Sequence, residues 1–123
     1  MGQAAHHGQM AHHGGAAAEH RIAQDYERRG FTVARRRWRG TGGEIDLITR
    51  DATGLVFVEV KQSRSFACAA ERLSQRQMRR LCAAAEEFLA GEPLGALTNV
   101  RFDVALVDSR GFYEIIENAF GQS

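Results

Sequence analysis

The stretch that decides the fold is GEIDLITRDATGLVFVEVKQ, residues 43–62. Glu44 to Arg50 and Leu55 to Lys61 alternate with period two around the turn-forming Asp51 to Gly54, which predicts an antiparallel hairpin. A turn centred between Ala52 and Thr53 sets Asp46 opposite Glu59 and Glu44 opposite Lys61. Side chains two apart share a face, so the four charges project together and Ile45, Leu47, Val58 and Val60 form the opposite, apolar face. The charged face is expected to be reachable from the sheet edge, and the other to be core.

Carboxylates about 5 Å apart at Cβ repel unless they are protonated, solvated or bridged by a cation. Mg²⁺ typically takes one or two carboxylates and keeps water and phosphate oxygens as its other ligands. A lysine beside such a pair holds an attacking water or a phosphate as a compact charge, which is the equipment of metal-assisted phosphodiester hydrolysis. The plainer reading is a solvent-facing sheet surface on which Lys61 neutralises its neighbours, a gain of ~0.2 to 1 kcal/mol. Lys61 is the one lysine among the 16 lysines and arginines, and the two residue types differ in geometry, hydration and titration.

Outward from the hairpin, Ala16 to Arg29 predicts a helix with Ile22, Ala23 and Tyr26 on one stripe and Gly30 just past its end. Glu19 falls on that inward stripe, a rare place for a carboxylate. Phe31 to Arg39 predicts a first strand. Leu73 to Ala90 predicts a second helix with Ser74 as N-cap and a stripe of Met78, Leu81, Cys82, Ala85, Phe88 and Leu89. Asn99 to Val107 and Phe112 to Ile116 predict two further strands. The order is α-β-β-β-α-β-β, an α/β domain whose mixed sheet includes one parallel pair joined across the second helix.

At 123 residues the chain suits one domain, taken as 16–118, between a Gly, Ala and His-rich tail at 1–15 and a C-terminal tail at 119–123. His6, His7, His12 and His13 are incidental to a mobile tail or weak chelators, the former favoured. No apolar run approaches the roughly 20 residues of a membrane span, and the first residues lack secretory-signal features, so a cytoplasmic protein without membrane partners is expected. Cys68 and Cys82 have no metal or redox spacing and are expected as free thiols. Net charge is only +1, yet six arginines and no acid lie between Arg28 and Gly43. Arg35, Arg36, Arg37 and Arg39 around Trp38 suit phosphate contacts with a stacking indole, or equally an exposed strand with Trp38 half buried. Arg76, Arg79 and Arg80 near the start of the second helix suit contact with phosphate, although a solvated helix face is the more common explanation.

The run Gly43-Glu44-Ile45-Asp46-Leu47-Ile48, then Val56-Phe57-Val58-Glu59-Val60-Lys61, then Arg101-Phe102-Asp103-Val104, resembles the YraN-type family. That family is similar to the PD-(D/E)xK restriction-endonuclease-like superfamily, which includes archaeal Holliday-junction resolvases. The similarity runs from about Ala16 to about Val107. It implies a mixed central sheet flanked by helices, Asp46 and Glu59 as metal-binding carboxylates, Lys61 as the catalytic lysine and Glu19 as a further acid. Three positions depart from the family pattern. Arg37 stands where Asn often precedes Trp-Arg, Ser63 replaces a basic residue with Arg64 one step later, and Gln77 replaces a lysine. Gln77 also completes an S-x-x-Q capping box with Ser74, the more ordinary role for it.

The resemblance therefore implies a Mg²⁺- or Mn²⁺-dependent nuclease-like protein acting on DNA, with branched or structured DNA among the expected substrates. Its nucleic-acid contacts would come from Arg35, Arg36, Arg37, Trp38, Arg39 and Arg64. Related resolvases are symmetric dimers, which makes a homodimer an expected assembly with no interface marked in the sequence. The alternative is a non-catalytic nucleic-acid-binding or assembly module that keeps the nuclease fold. Asp103 alternates away from Phe102 and Val104 and is expected either to approach the charged face or, the safer reading, to make a structural salt bridge with Arg101 or a neighbour. Glu44 either supports Lys61 or only neutralises it.

Overall fold

The computed structural model describes residues 2–120, with side chains from Gly15 onward. The histidines of the expected tail lie outside the residues whose side chains are described. The first helix, α1 (Gly2–Arg28), buries Ala18, Ile22, Ala23 and Tyr26, the i, i+4, i+5, i+8 pattern of one face. Its end is fixed by Gly30 at φ 98°, where the chain turns left-handed. The Phe31 N–H then donates to the Tyr26 carbonyl at 3.0 Å and the Gly30 N–H to Glu27 at 3.1 Å. Phe31 packs edge-on against Tyr26, closing the cap with an apolar contact.

Five strands follow in the spatial order of the chain: β1 (Thr32–Arg39), β2 (Glu44–Arg50), β3 (Leu55–Gln62), β4 (Val100–Val107) and β5 (Tyr113–Ile116). All neighbours are antiparallel except β3 and β4, which run parallel from Leu55↔Val100 to Gln62↔Val107. The expected parallel pair is therefore present. The β2–β3 turn is set by Asp51, whose Oδ1 accepts from Thr53 N at 2.9 Å and Gly54 N at 3.1 Å. That turn gives Leu47↔Val58 through Arg50↔Leu55, the register expected from the sequence.

Two helices fill the β3-to-β4 crossover where one was expected. The short α2 (Phe66–Glu71) starts at Ser65, whose hydroxyl accepts from Cys68 N at 3.1 Å, and is too brief to show a periodic stripe. The longer α3 (Gln75–Leu89) has Ser74 as N-cap, its hydroxyl accepting from Gln77 N at 3.0 Å. Buried on α3 are Leu81, Ala84 and Ala85, whereas Cys82, expected on the stripe, is exposed. The inward face is centred one position away from the one that includes Cys82. Both cysteines are free.

Both faces of the sheet are covered. Leu47, Val56, Val58, Ala105 and Val107 pack with α1, while Ile48, Leu55 and Phe57 pack with Leu81, Ala84 and Ala85 of α3. Ile45 joins the α3-side cluster rather than sharing a face with Leu47, which corrects the strict alternation read from the sequence. Ala119 and Phe120, at the start of the expected C-terminal tail, touch the core: Ala119 N donates to the Phe102 carbonyl at 2.8 Å and Phe120 stacks on Phe102. No described helix is long and apolar enough to cross a membrane.

Candidate active site

The β2–β3 ladder stops at Leu47↔Val58, one pair before Asp46 and Glu59 would meet. Beyond that point β3 stays paired with β4, as Glu59↔Val104 and Lys61↔Leu106, while β2 follows β1 through Trp38↔Ile45 and Arg39↔Glu44. The strands part, and the Val60 N–H freed from the ladder donates to Asp46 Oδ2 at 2.8 Å. A buried backbone donor needs a partner, and here a carboxylate supplies it. Ile45, past the end of the β2–β3 ladder but still paired with Trp38 of β1, packs on the α3 side.

The parting opens a cleft of about 620 Å³, bordered by Gly43, Glu44 and Asp46 on one wall and Glu59 and Lys61 on the other. Arg76, Gln77 and Arg80 of α3, with its N-cap Ser74, close the third side. The charged face of the hairpin is thus covered by a helix with a cleft between, not laid open at a sheet edge. Glu59 is buried, and its Oε2 accepts from Lys61 Nζ at 2.9 Å and from Gln77 Nε2 at 2.7 Å. Burial, and then the Glu59 charge, raise the Asp46 carboxyl from its ordinary 3.8 to about 7, against the pull of the Val60 N–H and Lys61.

The donor set suits a hard divalent cation. Asp46 Oδ2 and Glu59 Oε2 are committed to protein donors, whereas Asp46 Oδ1 and Glu59 Oε1 have none among the described residues. Among the described residues no buried side-chain oxygen lacks a partner, so these two oxygens face the cleft rather than a sealed interior. No cluster of three or more His, Cys, Asp or Glu that could cage a metal occurs among the described residues. Two carboxylate oxygens beside an open cleft match Mg²⁺ with retained waters, not a closed structural site. A cation would also relieve the repulsion that raises Asp46.

Of the other residues singled out in the sequence, Glu19 does not border the cleft. It accepts from Arg37 Nε at 2.9 Å, yet its charge still acts on Asp46. Arg37 has φ 50°, an uncommon conformation for a residue with a side chain, and lies between Arg36↔Leu47 and Trp38↔Ile45, across from Asp46. Arg35, Arg36 and Arg39 are exposed on β1, an edge strand. Trp38 is half buried and packs edge-on against Phe88 of α3. Arg64 is exposed beside Cys68, outside the cleft. Glu44 does not pair with Lys61: its nearest cation is Arg39, at 3.9 Å.

Asp103 makes the salt bridge with Arg101, the safer of its two readings, and more. Fully buried, it accepts from Tyr26 Oη at 2.6 Å, Arg101 Nε at 2.9 Å and Asn118 N at 3.0 Å. Gln77 departs from expectation. Its backbone N–H is capped by Ser74, but its side chain reaches Glu59 instead of returning to complete a capping box. The position had a signal, since the resemblance leads one to expect a lysine there. What Gln77 reaches depends on how α3 docks.

The model of the uncharacterised protein family UPF0102 matches residues 18–107. The chain belongs to the UPF0102, or YraN-type, family. A UPF0102 protein of Ruegeria pomeroyi is 66% identical over 107 residues, covering 87% of each chain. One from Cereibacter sphaeroides is 60% identical over 113 residues, 92% of this chain and 97% of its own. One from Roseobacter denitrificans is 51% identical over 117 residues. The mixed sheet with helices on both faces is consistent with the restriction-endonuclease-like fold implied by the resemblance. In this UPF0102 chain the matched segment contains the whole hairpin, α2, α3 and β4.

Proposed function

We propose that this UPF0102 protein is a divalent-metal-dependent nuclease that hydrolyses phosphodiester bonds in DNA, with branched or structured DNA as the substrate class. The observation that carries the reading is the meeting of Asp46, Glu59 and Lys61 in one cleft, with a free oxygen on each carboxylate. Those oxygens, Asp46 Oδ1 and Glu59 Oε1, would hold Mg²⁺ or Mn²⁺. When bound, such an ion polarises a phosphoryl oxygen and lowers the pKa of water. Lys61 Nζ, held by Glu59, is at hand to orient the attacking water or to offset charge developing on the phosphate. Gln77 and the Val60 N–H each tie down one carboxylate oxygen, so the other two keep their aim.

The test is incubation of the purified protein with linear, nicked and four-way DNA in Mg²⁺ or Mn²⁺. Cleavage is expected, and cleavage no greater than that of Lys61→Ala would remove the catalytic reading. One observation favours a non-catalytic nucleic-acid-binding or assembly module instead: Glu19, the further acid that the resemblance implies, is paired with Arg37 and does not border the cleft. That reading expects salt-dependent DNA binding unchanged by Asp46→Ala and by chelator.

A further inference from the structure

Arg76 and Arg80 lie one helical turn apart on α3, and both border the cleft that holds Asp46, Glu59 and Lys61. Both are exposed, and among the described residues neither has an ion-pair partner. Like charges at i and i+4 repel, so the pair works against the helix that carries it. Helix stability is therefore a poor reason for its presence.

The neighbouring charges point to an anion. Lys61 is engaged by Glu59, and the cleft balances the acids Glu44, Asp46 and Glu59 against the bases Lys61, Arg76 and Arg80. A divalent cation at the carboxylates leaves that balance positive. Gly43 lies against the turn carrying Arg80: a Cβ there would stand 3.1 Å from the Arg80 carbonyl. No side chain therefore separates the β1–β2 loop from this part of α3. Ser74, the N-cap of α3, also borders the cleft, so the positive end of the helix dipole lies beside it.

We propose that Arg76 and Arg80 form a phosphate subsite, seating a backbone phosphate beside the one at the Asp46–Glu59 pair and leading a nucleic-acid strand along the first turns of α3. The proposal rests on the nuclease reading and adds the strand's path to it. Arg79, on the same helix but not bordering the cleft, is a built-in control.

The experiment is fluorescence anisotropy of a labelled DNA duplex over a salt series, in Ca²⁺ to hold the complex without turnover. Wild type, Arg76→Ala/Arg80→Ala and Arg79→Ala are compared. The double variant is expected to bind about tenfold or more weakly and to lose about 2 from the slope of log affinity against log salt, roughly one per phosphate contact. Arg79→Ala should stay within about twofold of wild type, as a solvated arginine. Equal losses in both variants, or an unchanged slope, overturn the subsite and leave the nuclease reading standing. A mononucleotide that displaces duplex equally well per phosphate overturns the strand path. Absence of DNA binding by wild type overturns both.

Discussion

Asp46→Asn tests the energetics of the parted strands directly. The amide keeps an oxygen for the Val60 N–H, 2.8 Å away, and nearly the same volume, but cannot ionise. In the folded chain burial and the Glu59 charge raise Asp46 from 3.8 to about 7, while the unfolded chain keeps the ordinary value. Between those values the folded state holds the extra proton. The associated stability is fully present below 3.8 and is lost as pH rises through about 7. At about 1.4 kcal/mol per pH unit, ionising Asp46 costs the fold about 4 kcal/mol in all, and about 3 kcal/mol of this falls between pH 5 and pH 8. Urea unfolding at those two pH values, in chelator, should show wild type losing about 3 kcal/mol relative to Asp46→Asn. Mg²⁺ at pH 8 should restore stability to wild type and not to the variant, because ligand binding to the native state stabilises it by mass action. Parallel pH profiles in chelator would refute the reasoning, since a partly buried carboxylate repelled by Glu59 must make the two diverge.

Gln77→Ala removes one of two donors to Glu59 Oε2 and should cost about 0.5 to 1.5 kcal/mol by urea unfolding; an unchanged midpoint would mean the bond carries nothing. Tyr26→Phe breaks the 2.6 Å bond to buried Asp103 and should cost about 1.5 to 3 kcal/mol by the same measure, with Arg101 and Asn118 still holding the carboxylate. Glu87 accepts from Thr41 N, Thr41 Oγ1 and Gly42 N, and these bonds hold its carboxyl below the ordinary range. Its contribution is therefore present above the ordinary carboxylate range and lost as pH falls through the lowered value. Glu87→Ala should speed hydrogen exchange at Thr41 and Gly42, read by mass spectrometry, and wild type should show the same loosening on acidification. Unaltered exchange in the variant would show that α3 does not anchor this loop.

Much of the architecture was legible because it is local. The bounds of β2, the turn at Asp51, the register down to Leu47↔Val58 and the Ser74 cap depend on residues a few positions apart, where alternation, turn chemistry and capping act directly. The short α2 was not legible, because six residues hold too little of a helical period to read. Cys82 was misplaced for a related reason: a helix with alanine on several sides leaves its inward face open by one position.

The candidate site divides along the same line. Asp46, Glu59 and Lys61 stand out in the sequence because charges in period-two strands share a face, and that holds wherever the hairpin packs. Their partners are another matter. Extending the ladder pairs Lys61 with Glu44, yet the strands part first, and Lys61 turns to Glu59 within its own strand. Gln77, Arg76 and Arg80 join the cleft only because α3 docks over it, and Trp38 turns inward only because Phe88 is there to receive it. The sequence by itself determined the hairpin and its charged row through short-range geometry. Tertiary structure decided where the strands separate, which helix closes the cleft and which carboxylate oxygens remain free, since each depends on contacts between segments far apart in the chain.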